Sequence, residues 1–547
     1  MNVFRTSALA FALAGFLAAG TAAAQGIVKT LSLDSGIDPA AAGALDPGAA
    51  ALPSSLWQRS ERAEVARLIA TLPARVTSPT LADLARRVLA VASTPPEGAA
   101  ILPSFAVTRG AALLKSGQVA LAARLLDAIP RSGRTEGSDL LYLHAALLTL
   151  DQSGACAVSR TRGGRAKAID FAKIAAFCEA LAKNRARADF GAALVAERAP
   201  DDAAYFQLLD IATGVVDSPG KAIAKLNAPT LIHRAMMRAV GLAPPGLPDV
   251  NEAGQAVSVE IMIAIDPAAP LEMRRDAAWR ALKANAADID STRQLFLAAN
   301  ADAKDRSTSA VIAGLFSKSA AAVPGPARAL AIALLLDAGA KAGAFIPTAV
   351  LARPMMVDLL ALASGPDITG RIARGLLLAA ESRAAYLWIV SLKASIPFPG
   401  SIEATARLTA LLAISEGYNE QPFVGAVAIH WLDAINRAYP EGVVERAALL
   451  SVLRRAVGLD VPPAIAGAAQ AFTRVPAVST LALLPLQTAA QEGRIGETIL
   501  RAIHLAEGQV SGSRPFRMAH AAAALSEIGF YNEARLLATE AAIAGGL

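Results

Sequence analysis

The chain has 547 residues, of which 54% are hydrophobic, 5% aromatic and 18% charged, with 40 Gly, 31 Pro and a formal net charge of +6. That apolar fraction excludes a disordered chain, and Gly and Pro are too few for a collagen or linker composition. The mean hydropathy of +0.42 suggests a membrane protein, but much of the apolar content is alanine, which adds little transfer free energy per residue.

Residues 1–24 read as an export signal. Arg5 and the free amine form a short basic region, Ala8–Ala19 is apolar, and Ala22-Ala23-Ala24 supplies the small-x-small pattern that places cleavage between Ala24 and Gln25. Gly15 and Gly20 weaken a helix there and disfavour an uncleaved anchor. No later segment offers about 18 uninterrupted apolar residues; the nearest, Ala329–Leu336, is closed off by Arg328 and Asp337. The expectation is a periplasmic or secreted chain with no transmembrane segment after cleavage. Its 52 Lys and Arg are interspersed with 46 Asp and Glu rather than blocked, which together with export argues against nucleic acid as a partner.

Residues 25–55 are small, rich in Pro and Gly and without periodic large apolar positions, and read as a flexible leader. From Leu56 the pattern changes to helical segments with apolar positions at i, i+3, i+4 and i+7, separated by breaks of Pro, Gly, Asp or Ser. LADLARRVLAVAS (81–93) puts Leu81, Leu84, Val88 and Leu89 on one face and Arg86 and Arg87 off it. TRGAALLKSGQVALAARLLDAIP (108–130) gives two helices about Gly117.

Cys156 and Cys178 are the only cysteines. An even count at short separation in an oxidising compartment predicts a disulfide. The loop it closes starts with AVSRTRGGRAKA, read as an irregular basic excursion carrying Arg160, Arg162, Arg165 and Lys167, and ends in the amphipathic helix of Ile174, Phe177 and Leu181. A metal site would need further ligands, and His144 alone is near.

VSVEIMIAI (257–265) alternates like a strand, yet it is short and has helical neighbours. Its Glu260 is either a buried acid with a raised pKa or a residue on the polar side of a helix. RRDAAWRALKANA (274–286) is helical again, and start signals recur at Asp367, Ser401 and Pro440-Glu441. The two-helix unit returns about Gly493 in 484–507 and about Gly529 in 519–543. About two dozen helices are expected, divided into 56–245, which holds the disulfide, and 246–547.

The units at 108–130, 484–507 and 519–543 resemble tetratricopeptide-like repeats. The features that match are Ala111, Ala490 and Ala523 on the first helices, the turn glycines Gly117, Gly493 and Gly529, Ala122 and Ala534 on the second helices, and Pro130 at a repeat end. The aromatic signature of the first helix is absent. The resemblance implies an all-α, right-handed α-solenoid of helical hairpins, a fold that presents grooves to partners.

Catalytic patterns are not found. The histidines His144, His233, His430, His504 and His520 form no HExxH pair, and GVVDSPGKA (214–222) lacks the Ser or Thr and the preceding strand of a phosphate loop. Glu381-Ser382 is similar to the Glu-Ser dipeptide of the soluble lytic transglycosylases, but their Gly-Ala and Gly-Leu-Met-Gln elements are missing. Trp57, Trp279, Trp388 and Trp431 are read as core residues. No cofactor, metal or catalytic residue is expected. The sequence therefore favours a periplasmic, non-catalytic scaffold or adaptor for a protein or cell-envelope polymer. The alternatives are a peptidoglycan-modifying hydrolase and a helical carrier of a small apolar ligand.

Overall fold

A computed structural model describes residues 38–163, 166–217, 220–226, 229–243, 256–298, 305–361, 365–394, 400–416, 423–471, 478–508 and 513–547. The proposed cleavage site at Ala24 and Gln25, and Arg165, lie outside the described residues. Among those described there are 28 α-helices and a few 3-10 turns, and no strand beyond isolated bridges such as Leu45 with Val91. The ambiguous 257–265 segment is helical, within Ala256–Ile265.

The helix Pro79–Ala90 shows how local sequence sets these elements. Ser78 caps it by accepting a hydrogen bond from the Leu81 amide, and Pro79 occupies the first turn, where its missing N–H costs nothing. Leu81, Leu84, Val88 and Leu89 are buried, as their spacing predicts. Arg87 is buried too, contrary to expectation. Its Nη2 reaches Glu533 Oε1 at 2.6 Å and its Nη1 donates to the Ala50 carbonyl, partners no local pattern could supply.

One turn joins many of the hairpins. Gly117 has φ of 81°; its amide donates to Leu114 O and the Gln118 amide to Leu113 O, the Schellman arrangement that closes a helix through a left-handed residue. Gly493 and Gly529 repeat it. So do Leu150, Lys183, Asn285 and Ala380; asparagine tolerates the left-handed position, and at the other three the side chain costs about 1–2 kcal/mol. Gly117, Leu150 and Lys183 recur at intervals of about 33 residues, and Gly458, Gly493 and Gly529 at about 36, within the range of helical-hairpin repeats.

Of the small residues assigned to helix crossings, Ala122, Ala490 and Ala534 are buried. Ala111 is only partly buried and Ala523 is exposed, while the neighbouring Ala112, Ala522 and Ala524 fill the contact. The packed face of these first helices is thus shifted by one position.

Helices pack on their successors and often on the next but one. In this way Pro326–Lys341, Pro366–Leu378 and Ser401–Glu416 form a row. The last helix, Tyr531–Ala544, lies against Pro366–Leu378, Ser401–Glu416 and Val443–Ala456, and also against Pro79–Ala90. Early and late parts of the chain therefore share one core, which includes Leu56, Trp57, Leu81, Leu376, Ile503 and Leu537. A second apolar cluster, with Leu143, Phe171, Phe177, Tyr205 and Met236, centres on the helices between about 143 and 240. Cys156 and Cys178 are bonded within it, with Cα atoms 5.8 Å apart.

Two expectations are corrected. The leader is not free over its second half: Ala40, Ala42, Ala44, Ala50 and Leu52 are buried. Arg109, itself fully buried, donates to the carbonyls of Ala40, Ala42 and Val91. Small residues let the backbone come close enough for this, and at Gly43 a Cβ would collide with the Ala92 backbone. The supposed basic loop is likewise mostly helix, since Gln152–Arg162 carries Cys156 and runs through Arg160 and Arg162. Arg160 faces Glu179 at 3.6 Å and Arg162 faces Asp139, so these charges are neutralised within the lobe.

Candidate functional site

The row of helices described above walls a basic chamber. One cavity of about 570 Å³ is bounded by Pro366–Leu378, Ser401–Glu416 and Ala426–Ala438, and includes Asp367, Gly370, Arg371, Arg374, Glu403, Arg407 and Arg437. A second, of about 480 Å³, adjoins it through Arg371 and Arg374 and reaches Thr77, Lys283, Asp337, Phe345, Arg514 and Ile543. The chamber thus gathers side chains from both ends of the described chain and from its middle.

Most of its charges are paired. Arg371 Nε lies 2.6 Å from Asp337 Oδ1, and Arg437 bonds Glu403. Arg514 Nη2 lies 2.9 Å from Glu507 Oε1 and also donates to Thr77 Oγ1. Glu403 is four residues before Arg407 on the same helix, the usual spacing for a local pair, yet it serves Arg437 on the next helix instead.

Arg374 and Arg407 are therefore left over. Neither has an ion-pair partner among the described residues, and the buried Nε of each lacks a hydrogen-bond partner. Arg407 makes one long bond, Nη2 to Gly546 O at 3.4 Å. Burial, and then the charge of Arg407, lower the Arg374 pKa to about 10; Tyr439 opposes them, and Arg371 adds a smaller lowering effect. Arg374 and Arg407 are partly buried, and a partly desolvated guanidinium without a counter-charge costs free energy that an anion would recover.

The residues singled out in the sequence do not converge here. The four tryptophans are buried core residues. Glu260 is buried and its pKa is raised by burial, but it is held at 3.0 Å by Arg75 and at 3.5 Å by Arg280. His144 pairs with Asp170 and His233 with Asp202, each within a hydrogen bond, and His504 Nε2 meets the Leu68 carbonyl at 2.9 Å. Burial lowers the pKa of His504 and of His520. Glu381 Oε1 takes both Nε and Nη2 of Arg353, and Ser382 bonds Ser415. No cluster of three or more metal-ligating side chains occurs among the described residues. The apolar cavity beside the disulfide holds only about 20 Å³, about the room one water needs.

A weak signal for the chamber was present in the sequence. Arg374 has no acidic residue three or four positions away on either side; positions 370, 371, 377 and 378 hold Gly, Arg, Leu and Leu. What the sequence does not contain is that Arg407 stands beside it. No family model, curated protein or solved structure matches this chain.

Proposed function

We propose that the protein is an exported, non-catalytic helical scaffold or adaptor that binds a protein or cell-envelope polymer at the basic chamber. The observation that carries this reading is the chamber itself, a solvent-connected space walled by consecutive helices and containing two arginines, Arg374 and Arg407, without ion-pair partners among the described residues. The tetratricopeptide-like solenoid reading draws support from the recurring left-handed turn and from packing between each helix and the next but one. Export is supported by the bonded cysteine pair. It is compatible with the finding that no helix among the described residues is long and apolar enough to cross a membrane.

Affinity purification of the mature chain from an envelope fraction tests the reading. Gly370 lines the chamber, and a Cβ there would meet nothing within 4 Å, so Gly370→Trp fills the space without disturbing the helix backbone. The expected result is a mature N-terminus at Gln25 and one stoichiometric partner that the tryptophan variant loses. Equal recovery by both proteins would overturn the chamber as the binding surface. Peptidoglycan turnover that disappears in Glu381→Gln would overturn the non-catalytic reading.

A further inference from the structure

We infer that Arg374 and Arg407 form an anion-binding site in the chamber whose ligand is a dianionic oxyanion of the phosphate class, either free or as a lipid or polymer headgroup. The inference rests on the chamber being the binding surface and adds the chemistry of what it binds.

Charge matching sets the ligand's charge. Asp337 neutralises Arg371, Glu403 neutralises Arg437, and Glu507 neutralises Arg514. Lys283 and Asp367, neither with an ion pair among the described residues, cancel in the sum. Arg374 and Arg407 remain, so a ligand of charge −2 brings the chamber to neutrality. A single carboxylate would leave one guanidinium uncompensated.

Geometry sets the class. Two planar guanidinium groups line one cavity, and each carries several N–H donors. A tetrahedral oxyanion offers oxygens to both groups at once. Leu408 lines one cavity and Phe345 the other, and together the two leave room for a substituent beyond the anionic group.

These arginines are poor choices for a purely structural role, which distinguishes the proposal from a packing account. Charged side chains kept for stability are stabilised by opposite charges, whereas these two like charges share one cavity without an ion-pair partner among the described residues. Removing one charge should therefore relieve the ligand-free protein while destroying its anion response, the signature of a site that sacrifices stability for binding.

The test is thermal denaturation and calorimetric titration of the full mature chain with sodium phosphate, against sodium chloride and sodium succinate at equal ionic strength. Wild type should show a saturable rise in Tm with phosphate alone. Arg374→Gln and Arg407→Gln should each melt at or above the wild-type temperature without phosphate and bind it at least ~10-fold more weakly. Co-sedimentation with phosphatidylglycerol vesicles, compared with phosphatidylcholine, identifies the source. Vesicle binding lost in both variants assigns a headgroup, and phosphate binding without vesicle binding assigns a free ligand.

A response shared by chloride or succinate, or retained in both glutamine variants, would overturn the site. So would the absence of both phosphate and vesicle binding. An envelope partner recovered equally by wild type and the glutamine variants would remove the anion site and leave the adaptor reading standing. Phosphate binding without any envelope partner would do the reverse.

Discussion

The Glu540 carboxylate accepts hydrogen bonds from the amide of Thr80 at 3.1 Å and from its hydroxyl at 2.6 Å, across 460 positions of sequence. The Ser78 hydroxyl donates to the other oxygen. Glu507 does the same one turn away, accepting from the Ser78 amide at 3.0 Å and from Thr77 Oγ1 at 2.8 Å. Carboxylates from two late helices thus satisfy N–H groups at the start of Pro79–Ala90 that have no partner within the helix, where the helix dipole favours negative charge. Apolar contact continues this seam, with the Gly496 amide donating to Leu56 O and a Cβ at 496 colliding with the Trp57 ring.

Glu540→Ala should therefore cost about 2–4 kcal/mol in urea unfolding, because several buried donors lose their acceptor together. Glu540→Gln keeps an acceptor and should cost less. The two variants should also differ in pH dependence. Burial raises the Glu540 pKa against the opposing hydrogen bonds of Ser78 and Thr80. For a carboxyl raised on folding, its contribution is full below the unfolded pKa and is lost as pH rises through the folded one. The stability of wild type relative to Glu540→Gln should decline from acid toward neutral pH. A constant difference would show that burial does not govern this carboxyl.

Gly117 and Gly529 occupy the same left-handed turn in different surroundings. At Gly117 a Cβ would stand 2.5 Å from Val257 Cγ1 and 2.9 Å from Ala286 Cβ; at Gly529 it would meet nothing within 4 Å. Gly529→Ala should cost only the backbone term, about 1 kcal/mol. Gly117→Ala should cost about 1–3 kcal/mol more, since the helix Ala256–Ile265 must shift. Equal losses in chemical denaturation would show that the Gly117 contact yields without strain.

The disulfide lies in the second apolar cluster and not in the main core. Closing a loop of separation 22 contributes about 3 kcal/mol in the chain-entropy view. Replacing Cys156 and Cys178 by serine should therefore loosen the lobe selectively. Hydrogen exchange should accelerate in Gln152–Arg162 and Ile169–Leu181 and stay unchanged in Ile495–Glu507 and Tyr531–Ala544. Uniform acceleration would mean that lobe and core unfold as one unit.

Helices were legible because alanine and leucine at helical spacing need no distant partner to declare themselves. The turns at Gly117, Gly493 and Gly529 were legible because glycine tolerates a left-handed backbone. Leu150, Lys183, Asn285 and Ala380 make the same turn without that marker. The ordered part of the leader was hidden because its hold is backbone carbonyls meeting Arg109, which no side-chain pattern records. The surroundings of Arg87 and Arg374 are hidden in the sequence for a related reason. Arg87 meets Asp83 four positions back, as a local pair would, but its burial follows from Glu533 and the Ala50 carbonyl, and the neighbour that bears on Arg374 is Arg407, all of them far away in sequence.

A photo-crosslinking side chain placed at Gly370, inside the chamber, and separately at the exposed Asp201 on the lobe, tests the binding role most directly when each variant is irradiated in intact cells. The expected result is one discrete envelope adduct from position 370, absent from 201 and lost when Arg374→Gln and Arg407→Gln are added. An adduct from position 201 alone, or one from 370 that persists without both arginines, would contradict it.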